Sequence, residues 1–196
     1  FGGQSHVNFD NDMADFIEPT RKEITKEIID VFKVMPGFEN ISEDNLNDFP
    51  HIKKIIEDKL KARVHQAMQG IVYNLNTMHS RAGSQVPFSS INIGIPKNDD
   101  AALVCRVFLE EYEKGLGKGE QPIFPNIVFR VKSGVNREPS DPYYFLYELA
   151  CKVASRRMNP MFMNLDADFN KRFYDNGVLP ATMGCRTYVC SNVNGP

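Results

Sequence analysis

Apolar positions in the first third of the chain recur at the period of a helix face. Phe16, Ile17, Ile24, Ile28, Val31 and Phe32 fall at mixed three- and four-residue spacings, which predicts a helix over residues 13 to 34. Pro19 bends or restarts that helix, and Pro36-Gly37 ends it. An acidic, Asn-rich connector runs to Asp48-Phe49. Pro50 then suits the first position of a long helix, where its missing N–H is not needed. Ile52, Ile55, Ile56, Leu60, Val64, Ala67, Met68, Ile71, Val72 and Leu75 carry this second helix to about Met78. Its charges cluster in the first half, which predicts a helix exposed at one end and buried at the other.

Beyond Gly83 short apolar runs alternate with helical stretches. Strands are predicted near 89 to 94, at Ile127-Val128-Phe129-Arg130-Val131 and at Phe162-Met163-Asn164-Leu165, with helices near 99 to 114 and 141 to 158 between them. A strand or loop at 183 to 190 completes the series. Strand–helix–strand alternation with short connections argues for parallel strands covered by helices. Asp99 and Asp100 are expected to cap the first of these helices, Gly115-Leu116-Gly117 to stop it, and Asp141-Pro142 to open the next. Three such units do not close a barrel. The pattern predicts part of a larger α/β barrel preceded by two long helices, divided as a helical layer at 1–80 and a partial barrel at 81–196. No internal repeat or low-complexity tract interrupts it.

Composition narrows this picture. With 196 residues, 42% apolar content and a net charge of −2, the chain suits one domain or a piece of a larger one. Neither sign of charge dominates, so no nucleic acid and no charged membrane is implied as partner. No apolar run approaches the ~20 residues needed to cross a bilayer. The opening Phe1-Gly2-Gly3-Gln4-Ser5-His6 lacks the basic and apolar regions of a signal peptide and reads as the middle of something longer. Four cysteines, Cys105, Cys151, Cys185 and Cys190, are too sparse for a disulfide framework and fit a reducing cytoplasm. Cys105 and Cys151 lie in helical apolar patterns, where thiols act as small buried hydrophobes. Asn40-Ile41-Ser42 reads as a chance match to a glycosylation sequon.

Two segments hold the candidate chemistry. In Met183-Gly184-Cys185-Arg186-Thr187 glycine permits a sharp turn ahead of a cysteine. Cys185 reads either as a thiol in a buried turn or, with Arg186 favouring the thiolate, as a nucleophile needing a base such as His79. The segment Met78 to Asn92 groups His79, Arg81, Ser84, Gln85, Ser89, Ser90 and Asn92. Hydroxyls, backbone N–H groups and an arginine at a turn can hold phosphate oxygens, and equally can brace the first barrel strand. Asn164, Asp166, Asp168 and Asn170 lack the spacing of a calcium loop, and helix capping suits them better, so no metal site is assigned. Cys190 stands about 16 Å from Cys185 along an extended chain, beyond disulfide reach unless the loop folds back; it reads as structural.

Several of these segments together, in order, resemble the anaerobic (class III) ribonucleotide reductases, a family of glycyl radical enzymes. The likeness covers roughly residues 70 to 194 and is tightest at 77 to 94, 115 to 136 and 158 to 189. It includes Gly115-Leu116-Gly117-Lys118-Gly119-Glu120-Gln121-Pro122-Ile123-Phe124-Pro125-Asn126 and Asn164-Leu165-Asp166-Ala167-Asp168-Phe169-Asn170. The resemblance implies a ten-stranded α/β barrel with a finger loop at 182–188, on which Cys185 becomes a transient thiyl radical. Met183 and Gly184 then neighbour a formate site, and His79, Arg81, Ser84, Gln85, Ser89, Ser90 and Asn92 become substrate-binding candidates. It further implies ribonucleoside triphosphate substrates, formate as co-substrate and reductant, dNTP and ATP effectors, a radical-SAM activase and a homodimer. The radical glycine and a cysteine-ligated zinc would lie in a C-terminal region outside this chain, which alone would then be inactive. Two other readings stand beside it: a formate-lyase-like glycyl radical enzyme, and a catalytically silent nucleotide-binding or assembly module.

Overall fold

Phe88–Ile93 (β2) and Asn126–Val131 (β3) are short runs whose residues after the first are all buried. Strands covered on both sides belong in the middle of a parallel sheet, and there the computed structural model places them. It describes residues 3–78, 86–184 and 187–190. The four-stranded sheet runs in the order β1 (Gly3–His6), β2, β3, β4 (Met161–Asn164), with every neighbouring pair parallel. β1 is short and polar, Gly-Gln-Ser-His, and its hydropathy announces no strand. It joins the sheet by backbone pairing of Gly3 with Phe88 through His6 with Ile91.

Helices cover one face. α1 (Phe9–Ala14) and α2 (Ile17–Lys33) follow β1, and a 3-10 turn at Leu46–Asp48 precedes α3 (Pro50–Thr77). Pro19 stands in the first turn of α2, consistent with a restart there. α3 differs from its expected division into exposed and buried halves. Ile52, Ile56, Leu60, Val64, Met68 and Val72 are buried along its whole length, one every fourth residue, so a single stripe faces inward while the charges ride on the opposite side. α4 (Asp99–Lys114) packs against α1, α3 and α5 (Tyr144–Arg157). It buries nine residues, more than any other helix among the described residues. Among the described residues no helix is long and apolar enough to cross a membrane.

Several local expectations change. The α4 cap is Asn98, whose Oδ1 accepts the Ala101 N–H at 2.9 Å. Asp99 and Asp100 lie one and two positions further in, where carboxylates favour the helix dipole. Gly115 ends α4 with φ +81°, as a C-terminal glycine does. Asp141 does not cap α5. Its Oδ2 accepts N–H groups from Gly134, Arg137 and Glu138 at 3.1, 2.9 and 2.8 Å, shaping the preceding loop, and α5 starts at Tyr144. Cys105 is buried as expected, but Cys151 is exposed. The inward positions of α5 are Leu146, Ala150 and Val153, and Cys151 is turned about 100° away from Ala150. The last stretch is no further parallel strand: β5 (Ala181–Met183) and β6 (Thr187–Val189) form an antiparallel hairpin, preceded by α6 (Asp168–Tyr174).

Candidate active site

Alternation along a strand sends successive side chains to opposite faces. In β2, Ile91 and Ile93 enter the helix-covered core, while Phe88, Ser90 and Asn92 point the other way. Registered beside them are Gly3 and Ser5 of β1 and Asn126 and Val128 of β3. This second face carries Ser5, Ser90, Asn92 and Asn126 among apolar neighbours, and the hairpin lies on it. Asn92 Oδ1 accepts the Thr182 N–H at 2.9 Å, and its Nδ2 donates to Thr182 O at 3.0 Å. Ser5 Oγ also donates to Thr182 O, at 2.9 Å. Ser90 Oγ accepts the Gly184 N–H at 2.9 Å. All of these partners on the hairpin are backbone atoms.

β6 is anchored from the other side. The Tyr188 ring packs against Phe169 and Phe173 of α6, with ring centres 5.3 and 5.6 Å away, and its hydroxyl donates to Asn170 Oδ1 at 3.0 Å. Met183 pairs with Thr187, so only Gly184, Cys185 and Arg186 join the two strands. Gly184 has φ +66°, a conformation that favours glycine. Beside it stands Phe88, whose ring meets Phe124 edge-on at 5.2 Å. Asn76, near the end of α3, holds that partner segment: its Oδ1 accepts N–H groups of Ile123 and Phe124 at 2.8 and 3.0 Å, and its Nδ2 donates to Phe124 O. A Cβ on Gly3 would stand 3.1 Å from Met183 Sδ, so the bare backbone of β1 makes room for that side chain. Next to the hairpin a cavity of about 330 Å³ is lined by residues including Val128, Met163, Asn164, Asn170, Thr182 and Gly184, at the small end of ligand-sized cavities.

The C-terminal edge of the sheet is closed by a buried ion pair. Arg130 and Asp10 are both 0% exposed, with Nη2 and Oδ1 3.9 Å apart. The guanidinium donates to Ile93 O, Val7 O and Asn8 Oδ1 at 3.3, 3.1 and 3.3 Å, gathering the ends of β1 and β2. Asp10 accepts the N–H of Gly94 at 2.8 Å and of Asn11 at 3.1 Å. Burial pushes the Asp10 carboxyl above its ordinary value, opposed by Arg130 and these N–H donors. Nearby, burial raises the Cys105 thiol well above its usual value, which keeps it protonated and inert. At the rim between β3 and β4, Asp166 accepts from Lys132 Nζ at 2.5 Å, Ser133 N and Oγ at 2.9 Å each, and Arg137 Nη1 at 3.0 Å. Burial opposes its charge, yet these donors together hold the carboxyl below the usual carboxylate range.

Of the residues singled out by sequence, the structure brings Met183, Gly184, Ser90 and Asn92 together. Ser89 lies on the helix side of β2, buried, its hydroxyl without a partner among the described residues. Cys185, His79, Arg81, Ser84 and Gln85 lie outside the described residues. Cys190 is exposed at the end of the hairpin. Ser5, Asp10, Arg130, Asn76 and Tyr188 were not singled out. Arg130 carried a signal, since a charged residue inside the run Ile127 to Val131 has to be buried and partnered. Among the described residues no three His, Cys, Asp or Glu side chains gather to hold a metal.

These features define an α/β protein with a parallel sheet that carries a cysteine-containing hairpin on the face opposite its helix-covered core. A family model described as anaerobic ribonucleoside-triphosphate reductase matches residues 1–195. The enzyme of that name from Enterobacteria phage T4 is 31% identical over 190 residues, which is 96% of this chain and 28% of the relative. Its counterpart from Haemophilus influenzae is 31% identical over 141 residues, 71% of this chain and 19% of the relative. That from Escherichia coli K12 is 33% identical over 134 residues, 67% of this chain and 18% of the relative. The chain belongs to the anaerobic ribonucleoside-triphosphate reductase family, and it spans less than a third of the length of these relatives.

Proposed function

We propose that this chain is the part of an anaerobic ribonucleotide reductase that presents the radical cysteine to a ribonucleoside triphosphate. The observation that carries the reading is the seat of the hairpin. Its connection contains Cys185, and neutral hydroxyls and an amide (Ser5, Ser90 and Asn92) hold its backbone. None of these is a general base, so the seat suits hydrogen-atom transfer better than proton-coupled attack by a thiolate.

In this reading a thiyl at Cys185 takes the hydrogen from carbon 3′ of the ribose, forming an S–H bond as the C–H bond breaks. The new radical next to carbon 2′ assists loss of the 2′-hydroxyl, which leaves as water after gaining a proton. Formate, oxidised to carbon dioxide with Met183 and Gly184 beside it, supplies the two electrons and the hydrogen for the C–H bond that replaces the hydroxyl at carbon 2′. The cysteine's hydrogen then returns to carbon 3′. A glycyl radical in a part of the protein outside this chain, installed by a radical-SAM activase, supplies the oxidising equivalent. Zinc belongs to that outside part as well. His79, Arg81, Ser84 and Gln85 are assigned to the substrate, with the cavity beside Thr182 and Gly184 open to it; Ser89, buried on the helix side of β2, is not.

The four parallel strands are part of the ten-stranded barrel: 81–196 carries β2, β3, β4 and the finger loop at 182–188, and β1 joins them from Gly3–His6. Within residues 1–80 the helices α2 and α3 form the layer that faces a second copy and the dNTP or ATP effectors. The setting is cytoplasmic. The test is Cys185→Ala and Cys185→Ser in the full-length enzyme, with the glycyl radical quantified by electron paramagnetic resonance. Both variants should keep the radical and lose deoxynucleotide formation, because neither offers a hydrogen-atom acceptor of suitable bond strength. Turnover in either variant would refute the radical assignment.

A further inference from the structure

We propose that Asn92 is a positioning residue for the reaction: its amide grips the backbone of Thr182 at both N and O and so fixes where the hairpin delivers its cysteine. The inference rests on the reading of Cys185 as the radical residue. It departs from a substrate-binding role for Asn92, because the hydrogen-bonding capacity of the side chain is already in use. Oδ1 holds the Thr182 N–H at 2.9 Å. Nδ2 has Thr182 O at 3.0 Å, and Ser5 Oγ and His6 O at 3.2 Å each. Two carbonyl oxygens beside Nδ2 and one N–H beside Oδ1 settle which way the amide faces. The residue is 0% exposed, which leaves no donor for a phosphate or a ribose hydroxyl.

A two-point grip on one peptide restricts both sliding and rotation of β5 against the sheet, much as a neighbouring strand would. Ser90 adds a third point at Gly184, the residue next to Cys185. Hydrogen-atom transfer requires the reacting atoms to approach within about 3–3.5 Å, and a displacement of about 1 Å can cost about 10²-fold in rate. Groups that hold the backbone within three residues of the cysteine therefore act on the transfer step and leave substrate affinity alone.

The experiment uses the full-length enzyme with its glycyl radical installed, comparing Asn92→Ala, Ser90→Ala and Cys185→Ala. Readouts are radical content by electron paramagnetic resonance, KM, kcat, and the slowing of turnover by substrate deuterated at carbon 3′. For Asn92→Ala the expected result is normal radical content, unchanged KM, kcat lower by about 10²-fold, and a larger isotope effect than in the wild type. Ser90→Ala should move the same quantities in the same direction by about tenfold, and it carries the test if Asn92→Ala fails to fold. A raised KM with kcat retained would make Asn92 a substrate ligand and overturn the proposal. Unaltered kcat and isotope effect in folded variants would overturn it too. Activity in Cys185→Ala would instead remove the radical reading beneath it, an outcome separate from either result at Asn92.

Discussion

The two faces of the sheet are built from the same strands and do different work. On one, Ile91, Ile93, Ile127 and Phe129 disappear into the helix-covered core. Burial of this kind is strong and non-directional. On the other, Ser5, Ser90 and Asn92 hold the hairpin through directed bonds to its backbone. Hydrogen bonds contribute less net free energy each, about 1 kcal/mol, but they specify distance and angle. One face supplies the stability that lets the other supply geometry. Alternating residues of a single strand, β2, serve both.

This division can be broken by substitution in the full-length protein. The largest stability loss is expected at the edge the two faces share. Arg130→Ala strands the buried Asp10 carboxylate and frees three acceptors, and should lower unfolding free energy by about 3–5 kcal/mol in urea titrations. Ile93→Ala, on the apolar face, should cost about 3 kcal/mol through its cavity. At temperatures where that variant is folded, kcat should match the wild type, because no grip on the hairpin is touched. A kcat loss there as large as that of Asn92→Ala would erase the distinction between the faces.

Asp166→Asn tests the rim, away from both faces. It should cost about 1–2 kcal/mol at neutral pH, since Lys132 and Arg137 lose a charged acceptor. The native carboxyl is held below its unfolded value of about 3.9, so its contribution is present above that pH and is lost as pH falls through and below it. The gap between wild type and Asp166→Asn should therefore be full at pH 7 and narrow from about pH 4 downward, as followed by thermal unfolding across pH. A gap that widened with acid would reverse the assigned shift. The smallest effect is expected for Cys190→Ala. That residue is exposed, and both stability, within about 0.5 kcal/mol, and turnover should survive.

The apolar face was legible from the sequence, because periodicity reports burial directly: the helices at α2, α3 and α4 and the strands β2, β3 and β4 all follow from it. β1 escaped because Gly3 to His6 pairs through its backbone and carries no apolar side chain of its own. The burial of α3 along its full length was obscured by charges that share turns with the apolar stripe. Cys151 misled because neighbouring positions on a helix point in different directions. At the site, Met183, Gly184 and Cys185 stood out through the family resemblance. Asn92 stood out as one of the polar residues grouped in the segment Met78 to Asn92. Its partner did not, since Thr182 is 90 residues away and is held by its main chain, which no side-chain pattern encodes. Arg130 announced that something must pair with it without naming Asp10.

The grip on the hairpin has a consequence for how the two sides of the contact can drift. Asn92, Ser90 and Ser5 address N–H and C=O groups that every residue except proline carries alike. The identity of the side chain at position 182 is therefore nearly invisible to the seat, and across a saturation library there the hairpin should stay seated for most replacements short of proline. The same library at position 92 should collapse to asparagine. Variation is licensed on the held strand and forbidden on the holding one.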